Sequence, residues 1–153
     1  MAERSGTLPR QGRLLALDVG QRRIGVALSD ELQMLATPLT VLTRRSRVED
    51  FERLERLARE RGVVGLVVGH PLNADGSAGP QAQQVARYAR RLAAALLLPM
   101  LLWDEYGSSQ EAADRVAHTS RKRRQAALDA EAAAVILQSY LAECPMPSAE
   151  RKV

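Results

Sequence analysis

The sequence predicts an α/β fold with a mixed five-stranded sheet, in which three antiparallel strands precede two parallel strands and helices flank the sheet. Two nearly continuous apolar runs, residues 14–20 and 63–69, are typical of central strands buried on both faces. Further strands pair with the first run early in the chain, and helices alternate with strands later. At 153 residues, the chain is long enough for one domain with a single core.

The first three strands form the antiparallel part. Gly20 permits a tight turn after the first apolar run, and residues 23–28 resume as a second strand, which predicts a hairpin. Residues 33–43 are interpreted as a third strand. Pro38 places that strand at or near an edge of the sheet, because proline has no backbone N–H to donate to a neighbouring strand.

The rest of the chain alternates helices and strands. Ser46 and Gly62 are the predicted cap residues of the first helix, which leads into the apolar strand at 63–69. A loop dense in turn residues follows at 70–79. The later predicted elements are a helix from Pro80 that Pro99 ends, a strand at 100–103, a short helix from Ser108 to about His118, a basic loop at 121–124 and a final helix from about Leu128 to Ala142.

The domain boundaries and the compartment follow from composition. We expect residues 1–12 to be a flexible lead-in, residues 13–143 to form the folded domain and residues 144–153 to be a flexible tail. No segment is apolar enough for a membrane span or a signal peptide. The single Cys144 excludes an intramolecular disulfide, which favours the cytoplasm and leaves a homodimer cross-linked through that thiol open. The net charge of +4 is compatible with a polyanionic partner.

Acidic residues from separate elements are expected to meet at one edge of the sheet. Asp18 lies near the end of a buried strand, where an isolated carboxylate is unfavourable unless it is paired or binds a cation. Asp104 and Glu105 end the last strand and point to opposite faces, so at most one of them shares the side of Asp18. Asp129 lies in the first turn of the final predicted helix, on an apolar face aimed at the sheet.

These carboxylates have two interpretations. As a cluster, their oxygens suit the hard cations Mg²⁺ or Mn²⁺, and ions held in this way activate water for phosphodiester hydrolysis. The alternative gives each residue a local role. Asp18 then accepts hydrogen bonds from turn amides, Glu105 is a solvated strand end, and Asp129 interacts with the positive end of its helix dipole.

Basic residues indicate where nucleic acid would bind. A basic run just before Asp129 would attract phosphates close to the carboxylates, without selecting a base sequence. Two arginines after the first strand are weaker candidates for the same role, and one asparagine of the turn-rich loop is a candidate substrate contact. These residues are Arg121, Lys122, Arg123, Arg124, Arg22, Arg23 and Asn73. A solvated charge run and ordinary turn chemistry are the alternatives.

Four segments occur in an order and spacing that together characterise one known family. They are Leu17–Gly20 with Arg23–Ala27, Val68–Gly76, Asp104-Glu105 with Ser108-Ser109 and Glu111-Ala112, and Asp129 with Ala132–Leu141. On these segments the chain resembles the YqgF/RuvX family, bacterial ribonuclease H-like proteins related to Holliday-junction resolvases. The resemblance implies a metal-dependent nuclease with Asp18, Glu105 and Asp129 as its acidic triad, acting in maturation of the 5′ end of pre-16S ribosomal RNA.

The chain departs from the family pattern at Gln21, His70, Tyr106-Gly107 and Ala126. These departures keep the triad and concern substrate choice or turnover. Structured RNA is the first expected substrate, because the resemblance implies a role in the maturation of ribosomal RNA. Branched DNA, such as a Holliday junction, is the alternative. A non-catalytic nucleic-acid-binding protein on the same fold is a further alternative. An actin-like or sugar-kinase ATPase, which begins with a similar Asp-x-Gly hairpin, is disfavoured because those proteins need two such domains.

Overall fold

The structure is a computed structural model that describes residues 8–105 and 121–143, with the side chains of 121–127 excepted. Its strands are β1 (Arg13–Val19), β2 (Arg23–Ser29), β3 (Ala36–Thr43), β4 (Val63–Pro71) and β5 (Met100–Glu105). Its helices are α1 (Arg47–Arg61), α2 (Pro80–Leu96) and α3 (Arg121–Glu143). Among these residues, no helix combines the length and the apolar character that crossing a membrane requires.

The five strands form one mixed sheet in the order β3-β2-β1-β4-β5. The pairs β1–β2 and β2–β3 are antiparallel, and the pairs β1–β4 and β4–β5 are parallel. The predicted sheet of three antiparallel and two parallel strands is therefore confirmed. β3 lies at an edge, as Pro38 indicates, and the register between β2 and β3 shifts next to the pair of Ala27 with Pro38.

Each face of the sheet is covered by helices, and the alternation of β1 shows which residues face which layer. Leu15 and Leu17 belong to the core under α1 and α2. Leu14 and Ala16 belong to the core under α3. Asp18 follows Ala16 at the strand period of two, so its side chain is on the α3 face.

Predicted caps delimit α1. The Ser46 hydroxyl accepts a hydrogen bond from the Glu49 N–H at 3.1 Å. Gly62 ends the helix in the left-handed region with φ of 66°, a conformation that favours glycine. Both predicted cap residues are confirmed.

The chain before β1 is packed from residue 8 onward. Leu8 is only 6% exposed and belongs to the core under α3. The Gln33 side chain, at a residue with positive φ, donates to the carbonyls of Pro9 and Gly12 at 2.9 and 3.0 Å. The end of the predicted 1–12 lead-in is thus packed against the domain, and β3 begins at Ala36 rather than residue 33.

The predicted boundary of the final helix is wrong. α3 begins at Arg121, so residues 121–124, predicted as a loop, are helical. Lysine, arginine, glutamine and alanine are all strong helix formers, and no glycine or proline interrupts them before Leu128. Asp129 is therefore in the third turn of the helix rather than the first. The predicted helix at 108–118 and the 144–153 tail lie outside the described residues.

Asp50, in the first turn of α1, is expected to be important for stability. Its side chain is almost fully buried and accepts hydrogen bonds from Arg53 Nη2 at 2.5 Å and from the Arg45 N–H at 3.1 Å. Asp50→Ala leaves the Arg45 N–H without this acceptor and the Arg53 guanidinium without its carboxylate, so we expect the free energy of unfolding to fall by about 3–5 kcal/mol. Urea unfolding measures this change. The exposed Glu52→Ala is the control, and an equal change in both variants would contradict the prediction.

Candidate active site at the carboxyl end of the sheet

Asp18 lies between two strands that carry glycine at the neighbouring positions. It pairs with Gly25 of β2. On the other side, β4 carries Gly69, one residue after the Leu17–Val68 pair. All three positions face α3, because each strand alternates between the two faces. Asp18 is thus flanked on its own face by positions without side chains.

Gly25 allows α3 to contact the sheet backbone. A Cβ atom at this position would overlap the carbonyl oxygen of Asp129. The helix therefore lies directly on β2 where Asp129 begins its third turn, and any larger residue would hold it away. This contact brings Asp129 close to the strand pair that carries Asp18.

Gly69 provides the corresponding space on β4. A Cβ atom there would lie 2.5 Å from Cδ1 of Ile136 and 3.6 Å from the carboxyl carbon of Glu105. The Glu105 side chain, from the end of β5, therefore extends over Gly69 on the α3 face. Asp104 lies on the opposite face, where its Oδ1 is 3.4 Å from Nδ1 of His70. The expectation that at most one of the two neighbouring acids shares the side of Asp18 agrees with the structure, and that residue is Glu105.

The surroundings of Asp18 are unfavourable for its charge. Burial, and after it the negative charges of Glu105 and Asp129, together raise the pKa of Asp18 from 3.8 to about 7. The structure therefore brings all three predicted carboxylates within electrostatic range of one another. A proton or a cation at this position would relieve the repulsion between them.

The three carboxylates are not arranged as a complete cation-binding site. Within residues 8–105 and 121–143, no three Asp, Glu, His or Cys side chains are placed as ligands of one metal ion. Asp129 Oδ2 instead accepts a hydrogen bond from Arg23 Nε at 2.5 Å. The donor chemistry of the carboxylates suits a hard divalent cation, but Asp129 is engaged with an arginine.

The raised pKa of Asp18 predicts a pH-dependent stability. The folded-state pKa of about 7 lies above the ordinary 3.8, so the folded protein binds more protons between these values and its stability falls as pH rises through this window. In the presence of chelator, Asp18→Asn is expected to raise the free energy of unfolding at pH 8 by about 2–4 kcal/mol. At pH 4 it should change little. Urea unfolding at both pH values tests this, and a destabilised variant at pH 8 would contradict it.

The basic residues predicted to bind nucleic acid occupy different positions. Arg23 forms the ion pair with Asp129 and is partly exposed. Arg22 is exposed, and its backbone carbonyl accepts a hydrogen bond from the Arg44 N–H at 2.8 Å. Residues 121–124 form the start of α3, about 8–12 Å along the helix axis from Asp129; their side chains lie outside the described residues.

Asn73 organises the loop between β4 and α2. Its N–H donates to the carbonyl of Ser77 at 2.9 Å, and its Nδ2 donates to the Ser77 hydroxyl at 3.0 Å. Its carbonyl accepts from the Gly76 N–H at 2.9 Å. These contacts fit the turn interpretation of Asn73, and its substrate contact remains a prediction.

Local sequence rules do not predict two features of the site. Gly25 and Gly69 shape the space around Asp18, and their signal was glycine inside an otherwise apolar strand, which often marks a close backbone approach. The Arg23–Asp129 pair joins residues 106 positions apart. Local sequence carries no signal for a contact of that kind.

Comparison with known proteins places the chain in a family. A sequence profile described as "RuvX: Holliday junction resolvase" matches residues 12–143. A Cereibacter sphaeroides protein named "Putative pre-16S rRNA nuclease" is 48% identical over 137 residues, covering 88% of this chain and 85% of that protein. A Symbiobacterium thermophilum protein of the same name is 49% identical over 132 residues, covering 84% of this chain and 91% of that protein.

A solved structure shares the fold. "T. thermophilus RuvC in complex with Holliday junction substrate" has a TM-score of 0.54 and 11% identity, covering 86% of this chain and 97% of that one. At this identity the likeness concerns the fold alone, and it agrees with the predicted ribonuclease H-like architecture. The profile match and the identity to the curated relatives confirm the resemblance found in the sequence: the chain belongs to the RuvX family.

Proposed function

We propose that this protein is a nuclease that hydrolyses phosphodiester bonds in structured nucleic acid, with 5′-end processing of pre-16S rRNA as its activity. The observation that carries the proposal is the buried carboxylate of Asp18, whose pKa is raised to about 7 beside Glu105 and Asp129. Strongly perturbed acids of this kind cluster at functional sites. The names of the curated relatives support the RNA substrate. The description of the family supports branched DNA as the second candidate.

Asp18, Glu105 and Asp129 are the proposed catalytic residues, and their oxygens are the proposed ligands of Mg²⁺ or Mn²⁺. When bound, such an ion supplies Lewis-acid activation of water and neutralises charge on the phosphate. Asp18 holds a proton on its carboxylate below about pH 7, so a cation competes with that proton for the same oxygens. Cation affinity is therefore expected to increase as pH rises towards neutrality.

Arg23 is proposed to act as a temporary partner of Asp129. The ion pair neutralises Asp129 while no cation is present, and it holds the carboxylate against β2. If Asp129 served as a ligand of a bound cation, the guanidinium of Arg23 would lose this partner and would lie beside the acidic residues. An arginine there presents several N–H donors to a phosphate.

The remaining contacts with nucleic acid are proposed for basic residues at the start of α3 and in the first hairpin. Arg121, Lys122, Arg123 and Arg124 precede Asp129 on the same helix, and Arg22 is exposed next to Arg23. Contacts of this type fix the position of the backbone without reading bases. A cytoplasmic location and a homodimer stay predictions.

The proposal is tested with two labelled substrates, a pre-16S 5′-leader RNA and a synthetic four-way DNA junction. The purified protein is incubated with each substrate in Mn²⁺ and in chelator. Cation-dependent cleavage of the leader RNA in preference to the junction is the expected result. Preferred cleavage of the junction would favour the resolvase alternative. Binding to both without cleavage of either would support a non-catalytic nucleic-acid-binding protein and contradict the nuclease.

A further inference from the structure

A cleft lies on the face of the sheet opposite the three carboxylates. It has a volume of about 380 Å³ and lies between the ends of β4 and β5, the 72–79 loop and α2. Its polar lining comes from His70, Gln83, Arg87, Arg90 and Asp104. The proposed nuclease chemistry does not use this cleft.

The helix that forms one wall of the cleft is strongly cationic. α2 carries Arg87, Arg90 and Arg91 and no acidic residue. Arg87 and Arg90 are three residues apart, so they lie on the same side of the helix. Both line the cleft, whereas Arg91 does not.

The acidic groups near the cleft have partners among the described residues. Asp104 Oδ1 is 3.4 Å from Nδ1 of His70. Asp75, in the loop above, accepts hydrogen bonds from the N–H and the hydroxyl of Ser77 at 2.9 and 2.6 Å. Among the described residues that line the cleft, the two arginines outnumber the single carboxylate of Asp104, so the formal charge of this lining is positive.

The N-terminus of α2 adds to this positive charge. Its cap residue, Gly79, makes no side-chain hydrogen bond, and the first turn contains no acidic residue. No acidic side chain in the first turn of α2 therefore offsets the positive end of its helix dipole. Ala78 and Gln83, on either side of the cap, line the cleft. The helix end and the arginines thus favour the same kind of ligand, an anion.

We propose that this cleft binds backbone phosphates of a second segment of the nucleic-acid substrate, separate from the segment at Asp18. The inference rests on the proposed function and extends it to the shape of the substrate. His70 follows Gly69, the neighbour of Asp18, so the cleft and the carboxylates share one end of the sheet but lie on opposite faces. A straight duplex docked against one face of the sheet does not also lie along the other face. A folded RNA or a branched DNA presents two backbone segments that can contact both faces.

The test measures binding in chelator by fluorescence anisotropy at a series of salt concentrations. The probes are a four-way DNA junction, the folded leader RNA and a linear DNA duplex. The double variant Arg87→Gln/Arg90→Gln is compared with Arg91→Gln, on the same helix but outside the cleft. For the folded and branched probes, the double variant should bind about 10-fold more weakly and the salt slope should fall by about 2, as expected for two lost phosphate contacts. The linear duplex and the Arg91→Gln control should change by less than about 2-fold.

The outcomes distinguish this inference from the nuclease proposal. If the double variant bound linear and branched probes equally weakly, the arginines would have only a general charge effect, and the proposed contact with a second segment would be wrong. An unchanged salt slope would also contradict that contact. A loss confined to the junction or to the leader RNA identifies which substrate uses the cleft. A protein that binds through the cleft but cuts neither substrate would contradict the nuclease and leave this inference intact. Circular dichroism melting confirms that each variant is folded.

Discussion

Asp18→Asn is expected to lower the single-turnover cleavage rate by about 1,000-fold or more. Asparagine has nearly the same shape as aspartate and lacks its charge, so the substitution removes the proposed cation ligand without creating a cavity. Because Asp18 is buried beside two other carboxylates, the same substitution is expected to stabilise the protein in chelator. Loss of activity together with a gain in stability is the signature of a functional rather than a structural residue.

The control for this experiment is Glu52→Gln, which removes an exposed carboxylate on α1, far along the chain from the site. This control should cleave at the wild-type rate. Equal cleavage by wild type and Asp18→Asn would point to a contaminating nuclease and remove the support for Asp18. Loss of cleavage with a lowered melting temperature would instead favour a structural role.

Gly25→Ala is expected to have the second-largest effect, because the added methyl group would collide with backbone atoms of α3, which cannot rotate away as a side chain can. A Cβ at this position would overlap the Asp129 carbonyl oxygen, so α3 must move away from the sheet. We expect the free energy of unfolding to fall by about 2–4 kcal/mol and cleavage to fall by about 100-fold, since Asp129 is displaced. Urea unfolding and single-turnover kinetics measure the two effects.

Gly69→Ala provides a matched comparison on the other side of Asp18. Its methyl group would meet Cδ1 of Ile136, a flexible side-chain end. Adding Ile136→Val removes that atom, so the double variant should recover most of the stability that Gly69→Ala loses. No side-chain change can rescue Gly25→Ala in the same way. Wild-type stability and cleavage in Gly25→Ala would contradict the proposed contact between α3 and β2.

Much of this fold follows from short-range rules. Strand alternation predicts that Asp104 and Glu105 face opposite sides, and the structure agrees. Proline at position 38 predicts an edge strand, and serine and glycine mark the ends of α1. Each of these properties depends on a residue and its immediate neighbours, which is why the sequence predicts it.

The remaining features depend on contacts between residues that are distant in sequence, or on helix ends that the local sequence marks only weakly. The start of α3 differs from the predicted start because a basic run is compatible with a helix as well as with a solvated loop. The pairing of Arg23 with Asp129 requires the helix to lie on β2, and that placement depends on Gly25. The sequence therefore indicates which carboxylates converge but does not reveal the arginine that one of them binds.

Asp18, Glu105 and Asp129 are proposed to act as one unit. The most direct test measures single-turnover cleavage for Asp18→Asn, Glu105→Gln, Asp129→Asn and the triple variant. If the carboxylates act together, each single variant loses about as much activity as the triple variant, because removing one member already disables the set. A single variant that cleaves at the wild-type rate, or losses that multiply in the triple variant as for independent residues, would contradict the claim.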